Sequence, residues 1–226
     1  MTREMTEMLR LQWLATRWLL VPLVLLCVAL PQAVVRLTLE FGNAAYPGDL
    51  LRSLDSLSSV FPFLAAITGA AVALAAWNWD HRTNHVYALT LPIPRARYAL
   101  LKLWAGAVIL LVPALAIWAG AWLATSTAAI PDGLRAYPFA FGARFLLAGA
   151  LVYGAMFALA AGTIRTTLII CIGFVGILLA GSLGLPFLER ELGIDLITPV
   201  STILSAIGRL PGPAQVFGGS WLLIDV

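Results

Sequence analysis

Charge is what this chain of 226 residues has least of. Only 11% of its residues are Asp, Glu, Lys or Arg, against 61% hydrophobic, and its mean hydropathy is +0.94. A water-soluble domain carries about 25% charge, so the composition excludes one and points to an integral membrane protein. There is one lysine, Lys102, in YALLKLW with no glycine-rich turn before it, which excludes a GxxxxGK[ST] phosphate loop. The two cysteines, Cys27 and Cys171, lie far apart in apolar runs with no CxxC spacing, so they read as buried thiols. The two histidines, His81 and His85, stand four apart with no third ligand evident except Asp80. They read as surface or subunit-contact residues, and metal binding is not expected. A net charge of +3, dispersed along the chain, offers nucleic acid no footing.

What is present is a series of runs free of Asp, Glu, Lys and Arg: Trp18 to Val35, Ser56 to Trp79, Leu103 to Pro131, Phe145 to Ile164 and Thr166 to Leu188. Each reaches roughly 18 residues or more, the length needed to cross about 30 Å of hydrocarbon at 1.5 Å per residue. The expected fold class is therefore an all-α polytopic helical bundle. Its five complete spans are placed at about 18–35, 56–79, 103–128, 144–164 and 166–187. The segment 188–219 is broken by Gly193, Pro211, Gly212 and Pro213, with a short amphipathic piece over Val200, Ile203, Leu204 and Ile207, and residues 220–226 read as the start of a sixth span. Before the first span, Met5, Met8, Leu9 and Trp13 recur at helical spacing opposite Arg3, Glu7, Arg10 and Arg17, so residues 1–17 are expected to form an interfacial amphipathic helix, the alternative being the frayed start of the first span itself. The segment carries acids and lacks a small-x-small cleavage pattern, so the first span reads as a retained anchor.

With the N-terminus on the cytoplasmic side, the inside segments hold eight Lys or Arg against six outside, which supports that orientation. The spans contain no ionisable group at membrane depth. That argues against proton relays, intramembrane proteolysis and haem ligation between helices. Small residues recur four apart in several spans: Ala65, Gly69, Ala73; Ala116, Gly120, Ala124; Ala150, Gly154, Ala158, Gly162; and Gly176, Ala180, Gly184. Such stripes let helices approach closely, within one chain or between subunits.

The charge that the spans lack is gathered between Trp77 and Lys102, in WNWDHRTNHVYALTLPIPRARYALLK. A polar DHRTNH run leads into an amphipathic VYALTL, breaks at Pro92 and Pro94, and resumes as a helix through Arg95 and Arg97. Taken alone, these arginines would serve as an inside loop that sets topology and touches anionic lipid.

Asp80, Arg82, Leu89, Leu91, Pro92, Arg95 and Lys102 form a pattern that resembles the permease subunits of ABC-2-type ABC transporters, and the likeness of layout covers nearly the whole chain. That family commonly has Glu where Asp80 stands and a glycine near Thr83 or Asn84, and it has six spans. The resemblance implies either that the chain continues past Val226 or that this member ends outside. It also implies a coupling helix, with Asp80, Arg82, His85, Tyr87, Leu89, Leu91, Pro92 and Arg95 meeting a separate ATP-binding subunit that holds ATP and Mg. A second permease copy would complete the assembly, with Ala150, Gly154, Ala158 and Gly162 as packing or dimer-interface residues. The chain itself would bind no cofactor and catalyse nothing. The location implied is the bacterial cell (inner) membrane, and the activity is export of an apolar or amphipathic substrate. The competing expectation is a non-catalytic accessory subunit of a larger membrane complex; a membrane-embedded enzyme is a third class.

Overall fold

The computed structural model describes residues 3–41, 47–82, 94–128, 130, 132–162, 168–169, 172–173, 176, 216–217 and 220–225. Five helices carry the described fold: α1 (Arg3–Phe41), α2 (Pro47–Ser58), α3 (Val60–Arg82), α4 (Arg95–Thr127) and α5 (Pro138–Ala160). Two-residue strands β1 (Arg135–Ala136) and β2 (Ile224–Asp225) pair antiparallel. Four helical stretches, Glu4–Leu39, Leu50–Asn78, Ala96–Thr127 and Pro138–Ala160, are long and apolar enough to cross a membrane.

The long helices alternate in direction. At one end of the bundle lie Glu4, Asp80 and the start of α4, tied by the Arg97 to Glu4 salt bridge of 2.8 Å. At the other lie α2, the start of α5 and residues 220–225, where the Ser220 hydroxyl donates to Asp55 at 3.0 Å.

Packing rests on α1 against α4 and on α3 against α5. Two glycines set these approaches. A Cβ on Gly69 would fall on the Gly149 carbonyl oxygen, and one on Gly120 would strike the backbone of Cys27 and Val28. Aromatic rings fill the wider gaps: Phe61 meets Phe141 edge to face at 4.7 Å, and Trp77 meets Phe157 at 5.2 Å. Threonine hydroxyls inside the bundle are satisfied within their own helices, as Thr16 donates to the Gln12 carbonyl, Thr38 to Val34 and Thr68 to Leu64. Outward the surface is apolar. Trp18 is 78% exposed and Phe139 76%, with Phe63, Ile67, Trp104 and Leu115 also facing out. Water would not favour so broad an apolar exterior, and hydrocarbon would.

Several boundaries differ from expectation. The chain does not leave the helix near Arg17: α1 is one helix of 39 residues, with Pro22 and Pro31 inside it. A separate interfacial helix is thus replaced by a continuous rod, since Gln12, Thr16 and Leu20 all face inward and hold the same buried stripe across the expected break. The expected second span at 56–79 is divided by a turn at Ser59, so its first residues belong to α2. That helix went unnoticed in the sequence although Leu50, Leu54 and Leu57 recur at helical spacing. The fourth span begins at Pro138 and ends at Ala160, not at 144–164. Residues 220–225 do not begin a helix: Trp221, Leu223 and Ile224 are buried, and the Leu223 carbonyl accepts from the Tyr137 backbone N–H at 3.0 Å. An extended segment lying across the bundle end gives three large apolar side chains a burial site there. Gly133, at φ +96°, makes the left-handed turn that delivers β1 to this pairing. Most of the fifth span, and most of 188–219, fall outside the described residues.

Candidate functional site

Both helices that flank the polar connection 83–93 carry a residue pair spaced i, i+4 near it, and the two pairs face each other. On α3 these are Ala76 and Asp80; on α4 they are Tyr98 and Lys102. The Lys102 ammonium forms an ion pair with the Asp80 carboxylate and donates to the Ala76 carbonyl at 2.8 Å. The Tyr98 hydroxyl donates to the same carboxylate, 3.1 Å from Oδ1 and 3.3 Å from Oδ2. Two rings enclose the ammonium, Trp77 at 4.5 Å and Tyr98 at 5.0 Å from their centroids, a geometry that favours a cation over the ring faces. Asp80 is 0% exposed and Lys102 6%.

Two charges are thus desolvated together, and each carries further hydrogen bonds beside the ion pair. That condition is what makes a buried pair tolerable, because a lone buried charge costs several kcal/mol. With its carboxylate engaged by Lys102 and Tyr98 and shielded from solvent, Asp80 is poorly placed for acid or base chemistry. The cluster joins α3 to α4 across the connection as a mechanical tie.

A second polar layer lies behind it. The Tyr153 hydroxyl of α5 donates to the Leu103 carbonyl at 3.0 Å. Gly106 leaves the room, since a Cβ there would strike both the Tyr153 hydroxyl and the Gln12 side-chain amide. Helices α1, α3, α4 and α5 therefore meet around polar groups at this end.

Of the residues singled out in the sequence, Asp80 stands at the centre of the cluster. Arg82 is exposed at the last position of α3, and Arg95 is the first residue of α4. His85, Tyr87, Leu89, Leu91 and Pro92 lie outside the described residues. Asp80 was expected on the surface that meets a partner, and it is instead wholly buried, because Lys102 and Tyr98 draw it inward. Lys102 was read as part of the pattern that carries the resemblance and not as a partner of Asp80, Trp77 only as the edge of the charged stretch, and Tyr98 and Tyr153 were not given a role. Opposite charges near the facing ends of two helices joined by one connection were the available signal. Nor are the helices free of ionisable groups. Arg144 sits inside α5, donates to the Ser220 carbonyl and lies 4.8 Å from the Trp221 ring centroid.

The stripe Ala150, Gly154, Ala158, Gly162 faces away from the described neighbours: Ala150, Ala158 and Gly162 are exposed, and a Cβ on Gly154 would meet nothing within 4 Å. The face that α5 buries runs instead through Phe141, Phe145, Gly149, Tyr153 and Phe157. The stripes at Gly69 and Gly120 do lie at helix contacts within the chain.

Compared with known protein families, curated proteins and solved structures, the chain matches none.

Proposed function

We propose that this chain is the membrane-spanning permease subunit of an ATP-driven, ABC-2-type transporter, working as a pair of permease copies with separate ATP-binding subunits on the cytoplasmic side. One observation carries the reading: the buried Asp80 to Lys102 tie, which locks α3 to α4 at the ends that flank the connection 83–93. A force applied to that connection reaches both helices together, because separating them there would expose two charges to a medium that solvates neither. ATP and Mg belong to the partner, whose closure would push the segment Asp80 to Pro92 as a lever and tilt the two helices. The partner biases the bundle only through its different affinity for the two states. The apolar helix surfaces suit an apolar or amphipathic cargo and contact with lipid, and export is the direction the sequence resemblance implies. The exposed stripe at Ala150, Gly154 and Ala158 is available to the second copy.

The test is purification of the chain from its native membrane. A bound subunit with a phosphate loop is expected, and Arg82→Glu together with Arg95→Glu should abolish its association and cargo movement. Full association and transport in the double variant would overturn the role of this connection. An intact particle with no ATPase would overturn the transporter reading and favour an accessory subunit.

A further inference from the structure

At the bundle end opposite the Asp80 to Lys102 tie, an open cleft of about 480 Å³ lies between the α2–α3 corner and the side chains of Phe217 and Trp221. Among the described residues its walls are chiefly apolar and aromatic, with Phe63, Ala66, Phe217 and Trp221, and its polar side chains are Asp55 and the serines at the corner. The volume falls within the roughly 300–1,000 Å³ typical of small-molecule sites.

The electrostatics of the cleft select one sign of ligand. The Asp55 carboxylate is exposed and accepts from the Ser220 hydroxyl, and no cationic side chain among the described residues forms an ion pair with it. Of the nearby arginines, Arg52 stands exposed three residues before Asp55 on α2, and Arg144 is directed to the Ser220 carbonyl and to the Trp221 ring. Among the described lining residues Asp55 is the charged one, and a carboxylate repels anions at contact. Phe63 and Phe217 leave large ring surfaces uncovered, which attract a cation by their quadrupoles and an alkyl body by apolar contact.

We infer that this cleft is a binding site for an organic ammonium with an apolar body, its charge held by Asp55 and its body lying on Phe63, Ala66 and Phe217. This inference does not rest on the transporter reading. The same chemistry has two sources, a freely diffusing amphipathic amine or the ammonium headgroup of a zwitterionic lipid.

The experiment uses the whole chain in lipid nanodiscs of phosphatidylglycerol, which carries no ammonium, with radiolabelled dodecyltrimethylammonium as probe, dodecyl sulfate as control and empty discs as blank. Saturable binding of the cation alone is expected. Asp55→Asn should weaken it on the order of tenfold, Asp55→Glu should retain it, and Phe217→Ala, at an exposed position, should weaken it without touching the fold. Equal binding by Asp55→Asn of unchanged thermal stability, unaltered binding by Phe217→Ala, or equal binding of the sulfate would each overturn the site. Repeating the titration in phosphatidylcholine discs identifies the source. Competition assigns the site to the lipid headgroup, and unchanged affinity assigns it to the free amine.

Discussion

Lys102 and Asp80 are each tolerable in the bundle only because of the other. Lys102→Met alone leaves Asp80 buried without its counter-ion, and a broken buried pair costs about 3–5 kcal/mol. A large drop in thermal unfolding temperature in detergent is therefore expected. Asp80→Leu combined with Lys102→Met removes both charges and should restore most of that loss, since apolar groups of similar volume replace a buried pair at little cost. Transport in the complex should remain impaired in the stable double variant, where the tie is gone and the core is intact. The sequence displayed both charges, and their proximity to one connection, but not that they meet. The meeting depends on how far α4 slides along α3, which brings the i, i+4 pairs into register, and nothing local to either segment encodes that offset. Arg144 illustrates the converse. A charge-free run stops at the first arginine, whereas the helix continues through it when carbonyl and ring partners are within reach.

Among the elements, the four long helices were legible because a membrane demands long uncharged stretches, whereas the short α2 was not. Which face of each helix turns inward was less so. On α5 two stripes compete, the small one through Ala150 and Gly154 and the aromatic one through Phe145, Tyr153 and Phe157, and the rings bury more surface. Gly120 lies on the contact of α4 with α1, so Gly120→Val should force the two backbones apart and lower stability by about 1–3 kcal/mol, as overpacking typically does, read as a lower unfolding temperature. Gly154→Val, which meets open space, should leave the temperature of the single chain unchanged and so isolates any effect on pairing of copies. The continuity of α1 is open to direct measurement: amide exchange across Trp13 to Leu20 should be uniformly slow. A break near Arg17 would show there as a patch of fast exchange.

For the whole molecule, the β1 and β2 pairing closes one end by bringing residue 224 back to residue 136. In a background of Cys27→Ala and Cys171→Ala, the pair Ala136→Cys and Ile224→Cys should cross-link under mild oxidation, because directly opposed antiparallel residues stand about 4.5–5.5 Å apart at Cα and a disulfide accepts that span. A faster-migrating band in non-reducing gels reads it. Failure to form would place residues 220–225 elsewhere. This return of the chain was not legible, since a short apolar run such as WLLI suits a helix start as well as a plug, and only the contact of Trp221 with the Phe141 ring distinguishes them.

The length of α1 has a geometric outcome of its own. Its 39 residues measure about 58 Å along the axis, roughly twice the hydrocarbon thickness, and its uncharged portion begins only at Trp18. Helix α4 overshoots at the same end, where Arg97 grips Glu4. The charged first turns of two helices thus run side by side past their uncharged stretches, and one ion pair holds them in step.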